Sequence, residues 1–366
     1  MLMGPAIELG LPVTLLAASP DESAAQVAPR VVIGDPDDEA AVRELAAQVD
    51  VITFDHEHVP GDILRGVLAD GLCAVHPGPD ALAHAQDKLH MRERLTALGH
   101  PCPHWWRVTS RQELQDALAE AGGRAVLKTP RGGYDAHGVR IIADASEAED
   151  WWEGRDTLLL EELVPFAREL SAQVARRPGG ETRAYPVVRS VQRDGVAYEV
   201  VAPTPELDDD AQREVQQLAA CIAEDLGVVG MLAVELFQLE DGTVLVNELA
   251  MRPHNTGHWS MDGAVTGQFE QHLRAVADLP LGATDPVGPA AVMVNLLGGS
   301  REDLAAGALE AMADDPALKI HLYGKTVRPG RKVGHLNLVG EDPQDLLRRA
   351  HAAEELIIEG NGGTRA

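Results

Sequence analysis

Two apolar segments, GMLAVELFQLE at 230–240 and TVLVNELA at 243–250, flank the dipeptide Asp241-Gly242, and each carries a glutamate in its interior. Asp-Gly between apolar runs is the signature of a two-residue hairpin turn. Pairing residue 240 with 243 then carries Glu235 directly opposite Glu248 on one face. Two carboxylates facing each other amid Val, Leu, Met and Phe repel unless a cation or a proton lies between them. Magnesium takes one or two carboxylates and completes its shell with phosphate oxygens, so the pair reads as a platform for a metal–nucleotide complex. A shared proton is the competing chemistry, and an edge strand with one glutamate in water is the plain structural one.

A second segment favours the metal reading. In AVLKTPRGGYDAHGVRII (125–142), Lys128 ends an apolar strand, and Gly132, Gly133 and Gly138 follow within ten residues. Glycines let backbone amides approach phosphate oxygens, and a lysine at the strand end neutralises their charge. The pattern is neither GxxxxGK[ST] nor GxGxxG. By itself it could be a solvated lysine beside a hairpin turn. TLLLEELVPF (157–166) supplies another strand, ending in acidic residues and a Val-Pro turn, suited to a nucleoside between domains.

At 366 residues the chain should hold two or three domains. The first third alternates strand and helix in a parallel α/β rhythm: a strand at 12–18, a helix over 38–48, strands at 50–54 and 72–78 with a helix near 61–69 between them, and a helix from Asp80 to Leu98. The residues MLMGPAIELGLPVTLL read as the end of a helix feeding a strand, so the first strand of this domain is expected to lie upstream of the sequence. GHPCPHWW (99–106) is the first boundary, and a smaller unit with a glycine-rich flap runs to 166. Expected domains are 1–100, 101–166 and 167–366.

The net charge of −27 argues against a protein that coats nucleic acid or an anionic membrane, and makes local clusters of cations informative. Such clusters occur at 130–140 and around Lys325 to Lys332. Cys73, Cys102 and Cys221 follow no metal spacing and read as buried thiols of a reducing compartment. With no apolar run of membrane length and no secretory pattern, the cytoplasm is the expected location. HEH at 56–58 and the pair His254 and His258 invite a zinc reading, but no third ligand has a structural spacing. Glu57 fits better at the strand end where ligands of open α/β sheets gather.

In this order and spacing AQDK (85–88), AVLKTPRGGYDAHG, EELVPFARELS (161–171), AVELF (233–237), NELAMRPHNTGHW (247–259) and YGKTVRPGRKVGHLNL (323–338) resemble the 5-(carboxyamino)imidazole ribonucleotide synthetase family over nearly the whole chain. The resemblance implies an α/β (α+β) ATP-grasp fold with an N-terminal parallel α/β pre-ATP-grasp domain, and usually a homodimer. It implies that ATP, bicarbonate and aminoimidazole ribonucleotide react through carboxyphosphate to give the N-carboxylated nucleotide of purine biosynthesis, without nucleic acid or membrane as partner. Mg²⁺, with Mn²⁺ as the alternative, would sit on Glu235 and Glu248.

By the same resemblance, Lys88, Lys128, Gly132, Gly133, Tyr134, Asp135, Ala136, His137 and Gly138 face the ATP phosphates, with Asn247 and Glu248. Glu161, Glu162, Leu163, Val164, Glu169 and Gln192 frame the nucleoside. Glu57, Tyr134, Asp135, Arg252, His254, Asn255, Lys325, Arg331 and Lys332 would take the ribonucleotide, with Asp135, Arg252 and Lys325 nearest the chemistry. Lys325, Arg331 and Lys332, around Pro329-Gly330, independently suit a ribose phosphate.

The chain departs from the family pattern in several places. The N-terminal GGGQL segment is absent; His137 stands for Arg or Lys, Ala136 for Gly, Met251 for Pro, Gln192 for a frequent His, and Asp55 for Glu. These departures bear on the ribonucleotide more than on ATP. Other ATP-grasp ligases, formate-using or biotin-carboxylase-like, share the core residues, and an impaired nucleotide-binding protein is the reading from another class.

Overall fold

The computed structural model describes residues 1–133, 138–193 and 195–360. Helix α1 (Met3–Glu8) precedes two short parallel pairs, β1 (Thr14–Ala17) with β2 (Arg30–Ile33), and β3 (Val51–Ile52) with β4 (Ala74–Val75). Helices α2 (Glu39–Ala46) and α3 (Gly61–Ala69) cover them. Ala41, Val42, Leu45 and Ala46 are buried on α2 at helical spacing, and the Asp38 carboxylate caps its first amides. The parallel rhythm is present, but the strands are shorter than 50–54 and 72–78.

The helix expected from Asp80 to Leu98 is two helices, α4 (Pro79–Gln86) and α5 (Lys88–Leu98). Asp87 is extended, at φ −137°, and its side chain accepts from the amides of Leu89 and His90. A short acceptor side chain competes with the backbone for helical donors, so this aspartate starts a helix better than it continues one. Its other oxygen receives Arg131 Nε at 2.8 Å, and Lys88 N donates to Pro130 O at 2.8 Å. The break therefore fastens the root of α5 to the strand-end loop after Lys128. Apolar residues of both helices, Ala81, Met91 and Leu95, join the core of the large sheet.

The smaller unit is an antiparallel sheet in the order β5 (Trp105–Val108), β8 (Leu158–Glu162), β6 (Ala125–Lys128), β7 (Val139–Ile142). Helix α6 (Arg111–Glu120) and a 3-10 segment at Ala145–Trp152 pack on it.

Among the described residues, nine antiparallel strands form the large sheet. Its path runs β14 (Val244–Ala250), β13 (Gly230–Gln238), β9 (Arg168–Arg176), β11 (Val188–Arg193), β12 (Val196–Ala202), β15 (Ala290–Leu297), β17 (Lys332–Gly340), β16 (Lys319–Leu322), with β10 (Thr182–Ala184) beside β9. Helix α7 (Asp209–Asp225) contributes to the core under β13 and β9. Helices α8 (Ser260–Gly263) and α9 (Gln268–Val276) follow β14, while α10 (Leu304–Asp314) and α11 (Pro343–Ile358) pack near β15 and β17. The edge strand β14 is covered by the linker, whose Pro101 O accepts from Val246 N at 2.8 Å.

Glu235 does face Glu248, but by a different route from the two-residue turn. Leu239 pairs with Thr243 around a three-residue loop closed by Gly242 at φ +88°. Continued, that register would set Glu235 against Asn247. One extra residue in β14 intervenes: Leu236 pairs with Val246, Glu235 with Glu248, and Asn247 is the bulge. A bulge breaks the alternation of faces, so Asn247 and Glu248 both line the same cleft.

Asp87→Ala should cost about 0.5–2 kcal/mol in denaturant unfolding through the lost cap. Asp87→Asn, which can still cap, should recover most of it. Equal losses would show that the ion pair to Arg131, not the cap, holds the break.

Candidate active site

A single cavity of ≈ 1870 Å³ runs between the N-terminal unit, the small sheet and the face of the large sheet. Single small-molecule sites occupy roughly 300–1,000 Å³, so this one has room for two nucleotide-sized ligands.

Part of its wall is built on buried charge. Lys128 Nζ lies 2.6 Å from Glu161 Oε2 and donates to Asn247 Oδ1 at 3.2 Å. The other oxygen of Glu161 receives Arg92 Nε at 2.5 Å, and Arg92 is 0% exposed. Burial alone would raise the Glu161 carboxyl, but the charges and hydrogen bonds of Lys128 and Arg92 outweigh it and bring it down to about 2. Arg92 also donates to the carbonyls of Val246 and Asn247 at 2.7 and 2.6 Å. It thereby clamps the two residues that form the bulge.

Lys88, one helical turn before Arg92, pairs with the Glu248 carboxylate. Across the strand, Glu235 is pushed up to about 7, first by burial and then by the negative charges of Glu248 and Glu169. Burial also raises Glu169 to about 7. These carboxylates form an unmet electrostatic demand that a divalent cation would answer. Among the described residues no group of three or more His, Cys, Asp or Glu gathers, so such an ion would complete its shell with ligand oxygens.

At one end the cavity is apolar. Val126, Leu163, Val164, Phe166 and Phe237 line it, the two phenyl rings stacking at 4.6 Å. At the other end Arg252 Nε meets Glu57 Oε2 at 2.7 Å, and His254 Nε2 lies 3.5 Å from Glu235 Oε1. His254 is held well below its ordinary value by burial and then by Arg252, so it is neutral. Asn255 donates weakly to Ala197 O at 3.4 Å, while its Oδ1 is buried without a partner among the described residues. Lys325 and Lys332 line the same end, and Gln192 and Glu162 also line the cavity.

Several sequence expectations shift. Arg331 does not line the cavity; its Nη1 reaches back to Thr326 O at 3.1 Å, because the turn at Gly330 points it outward. Glu161 presents its carboxylate to Lys128 and Arg92, not to open space. Gly132 and Gly133 line the cleft, and Gly138 sits on Thr129 at the base of the loop. Tyr134, Asp135, Ala136 and His137 lie outside the described residues. The three cysteines are half-buried free thiols, not buried ones.

Sequence reasoning missed Arg92, Phe166 and Phe237. The signal for Arg92 was an arginine four residues after Lys88 on a helix face that also carries Leu89 and Leu95.

The ribonucleotide synthetase preATP-grasp profile matches residues 1–86, the ATP-grasp domain 93–269, and the phosphoribosylaminoimidazole carboxylase C-terminal domain 291–349. The chain is 50% identical to the N5-carboxyaminoimidazole ribonucleotide synthase of Mycobacterium tuberculosis, over 97% of this chain and 84% of that one. The N5-carboxyaminoimidazole ribonucleotide synthetase structure from Thermus thermophilus superimposes with TM-score 0.87 at 36% identity, covering 98% and 95% of the two chains. The Aspergillus clavatus N5-carboxyaminoimidazole synthase, solved with ADP and 5-aminoimidazole ribonucleotide, gives 0.88 at 28% identity, covering 98% and 95%.

Glu161→Gln should cost about 3–5 kcal/mol near neutral pH, since it leaves two buried cations short of a counter-ion. A carboxyl lowered from 4.5 to about 2 stabilises the fold above 4.5 and loses that contribution as pH falls toward 2. The stability gap between wild type and variant should close across that window in acid-titrated unfolding. A constant gap would mean the carboxylate charge is not what stabilises.

Proposed function

The chain belongs to the N5-carboxyaminoimidazole ribonucleotide synthase family of ATP-grasp enzymes, and from that premise we propose that it carboxylates aminoimidazole ribonucleotide with ATP and bicarbonate, a step of purine biosynthesis. The observation that carries this reading is one continuous cavity joining Lys128, Glu235 and Glu248 to Arg252, Lys325 and Lys332, with Lys88 paired to Glu248. An ATP γ-phosphate placed between the two ends would meet a second nucleotide from the basic side.

The apolar slot at Val126, Leu163 and Phe166 takes the adenine, and Glu169 accepts from the ribose hydroxyls. Lys88 and Lys128 hold the phosphates; Asn247 and Gly132–Gly133 approach the same oxygens. Glu235 and Glu248 would hold Mg²⁺, or Mn²⁺ in its place, and such an ion would supply neutralising charge to the phosphates. Lys88, paired with Glu248 in this structure, would turn to the phosphates if Glu248 served a metal ion instead.

A bicarbonate oxygen attacks the γ-phosphorus, the bond to ADP breaks, and carboxyphosphate forms. The ribonucleotide amine then attacks the carboxyl carbon, phosphate leaves, and the nitrogen loses a proton. Arg252, oriented by Glu57, and Lys325 stabilise the transferring groups, with Asp135 as the third residue carried over from the family. His254, Asn255 and Lys332 hold the ribonucleotide, and Tyr134 and Arg331 keep that role only through the resemblance. Enclosure protects the mixed anhydride from water.

The cytoplasm and a homodimer, the family's usual assembly, belong to the same proposal. Free thiols at Cys73, Cys102 and Cys221 suit a reducing compartment. Among the described residues no helix is long and apolar enough to cross a membrane.

Phosphate release from ATP should require both aminoimidazole ribonucleotide and bicarbonate, and Lys128→Met should lower it by roughly 10²–10³. Equal stimulation by formate or by unrelated amines would redirect the assignment to another ATP-grasp ligase.

A further inference from the structure

Behind the basic end of the cavity stands a stack of three imidazoles that the proposed chemistry does not use. His321 on β16 and His335 on β17 are cross-strand partners, their rings 4.5 Å apart and 18° from parallel. His258 lies against the opposite face of His335 at 4.6 Å and 22°.

Both outer rings are pinned. His321 Nε2 is 2.7 Å from Asp262 Oδ2, which also accepts from Asn337 Nδ2 at 2.7 Å. His258 Nδ1 is 2.7 Å from Gln268 Nε2. The orientation of Gln268 is settled by His254, whose N donates to Oε1 at 2.9 Å and whose O accepts from Nε2 at 2.8 Å. The second hydrogen on Nε2 therefore goes to His258 Nδ1, which must accept, and the ring is neutral with its proton on Nε2. Burial holds both His258 and His335 well below the ordinary value, which spares the stack from charge repulsion.

The central ring is tied to the cleft. Tyr323 OH and His335 Nδ1 share a 2.8 Å hydrogen bond, and Tyr323 lines the cavity. Lys325 Nζ lies 5.4 Å from the centroid of the tyrosine ring, within cation–π range. Aliphatic side chains would fill this interior without leaving His335 Nε2 buried and unpartnered among the described residues. Polar rings at that depth call for a reason beyond filling space.

We propose that His335 is a positioning residue: through Tyr323 it fixes the ring beneath Lys325, and through the stack it holds that loop in register with the arm carrying Arg252 and His254. The two arms come from strands far apart in the sheet, β14 and β16–β17, and this buried bridge sets their spacing at the end assigned to the ribonucleotide. The ATP end has its own anchor in Arg92 and Glu161. The inference rests on the proposed ribonucleotide site.

The test is steady-state kinetics on wild type, Tyr323→Phe, His335→Phe and the double variant. Each single change removes one end of the same hydrogen bond and keeps an aromatic ring. Each should raise KM for aminoimidazole ribonucleotide about five- to tenfold, with KM for ATP shifted less than about twofold, and the double variant should be no worse than either single. An unchanged KM for the ribonucleotide in Tyr323→Phe overturns the inference, as does a parallel rise in both KM values, the mark of a merely structural role. Should His335→Phe fail to fold, Tyr323→Phe decides alone. Wild type without ribonucleotide-dependent turnover would sink the assigned reaction and this inference with it; normal wild-type turnover with unaltered variants sinks only the inference.

Discussion

The cleft depends on the carboxylate of Glu161 held between Arg92 and Lys128. Arg92 belongs to α5, Glu161 and Lys128 to neighbouring strands of the small sheet, and the carbonyls that Arg92 also grips belong to β14 of the large sheet. Three separately built units therefore meet on one guanidinium. Burying these charges costs several kcal/mol per ion, and the penalty is offset only because each nitrogen and oxygen has a close partner. What the arrangement adds is position: Lys128 is aimed along the cleft, and the bulge at Asn247 is kept open beside Glu248.

From that node the cavity divides into zones of different physics. Stacked Phe166 and Phe237 give an apolar end, paired carboxylates against two lysines give the middle, and Arg252, Lys325 and Lys332 give a basic end within a chain of net charge −27. The acidity is thus dispersed over the chain while the cations that matter are gathered inside. The histidine bridge does for the basic end what Arg92 does for the centre, using neutral rings in place of charges.

Local rules made much of this legible in the sequence. The strand–helix rhythm of the first third located α2 and α3, and apolar runs located the hairpin that carries Glu235 and Glu248. The turn was misjudged by one residue and the bulge by another, and the two errors cancelled; bulges are fixed by packing and by partners such as Arg92, which a strand's own residues do not announce. The break at Asp87 was legible in principle, since an aspartate followed by helix formers is a cap, but the continuous apolar pattern hid it. Arg331 was grouped with Lys325 and Lys332, yet after the turn at Gly330 it lies off the cavity that those two line. Arg92 escaped because its partners lie 69 to 155 residues away, and His335 because its role comes from stacking between strands.

On the proposed reading, the Glu235–Glu248 pair, beside the bulge that Arg92 holds, would make nucleotide binding depend on a divalent cation. Calorimetric titration of ATP, with and without Mg²⁺, into wild type and into a variant carrying Glu235→Gln with Glu248→Gln measures it directly. In wild type, ATP should bind at least about tenfold more tightly with the metal, since charge is otherwise set against charge at the cleft floor, and the double variant should lose that dependence. Equal affinity in wild type with and without Mg²⁺ would contradict it.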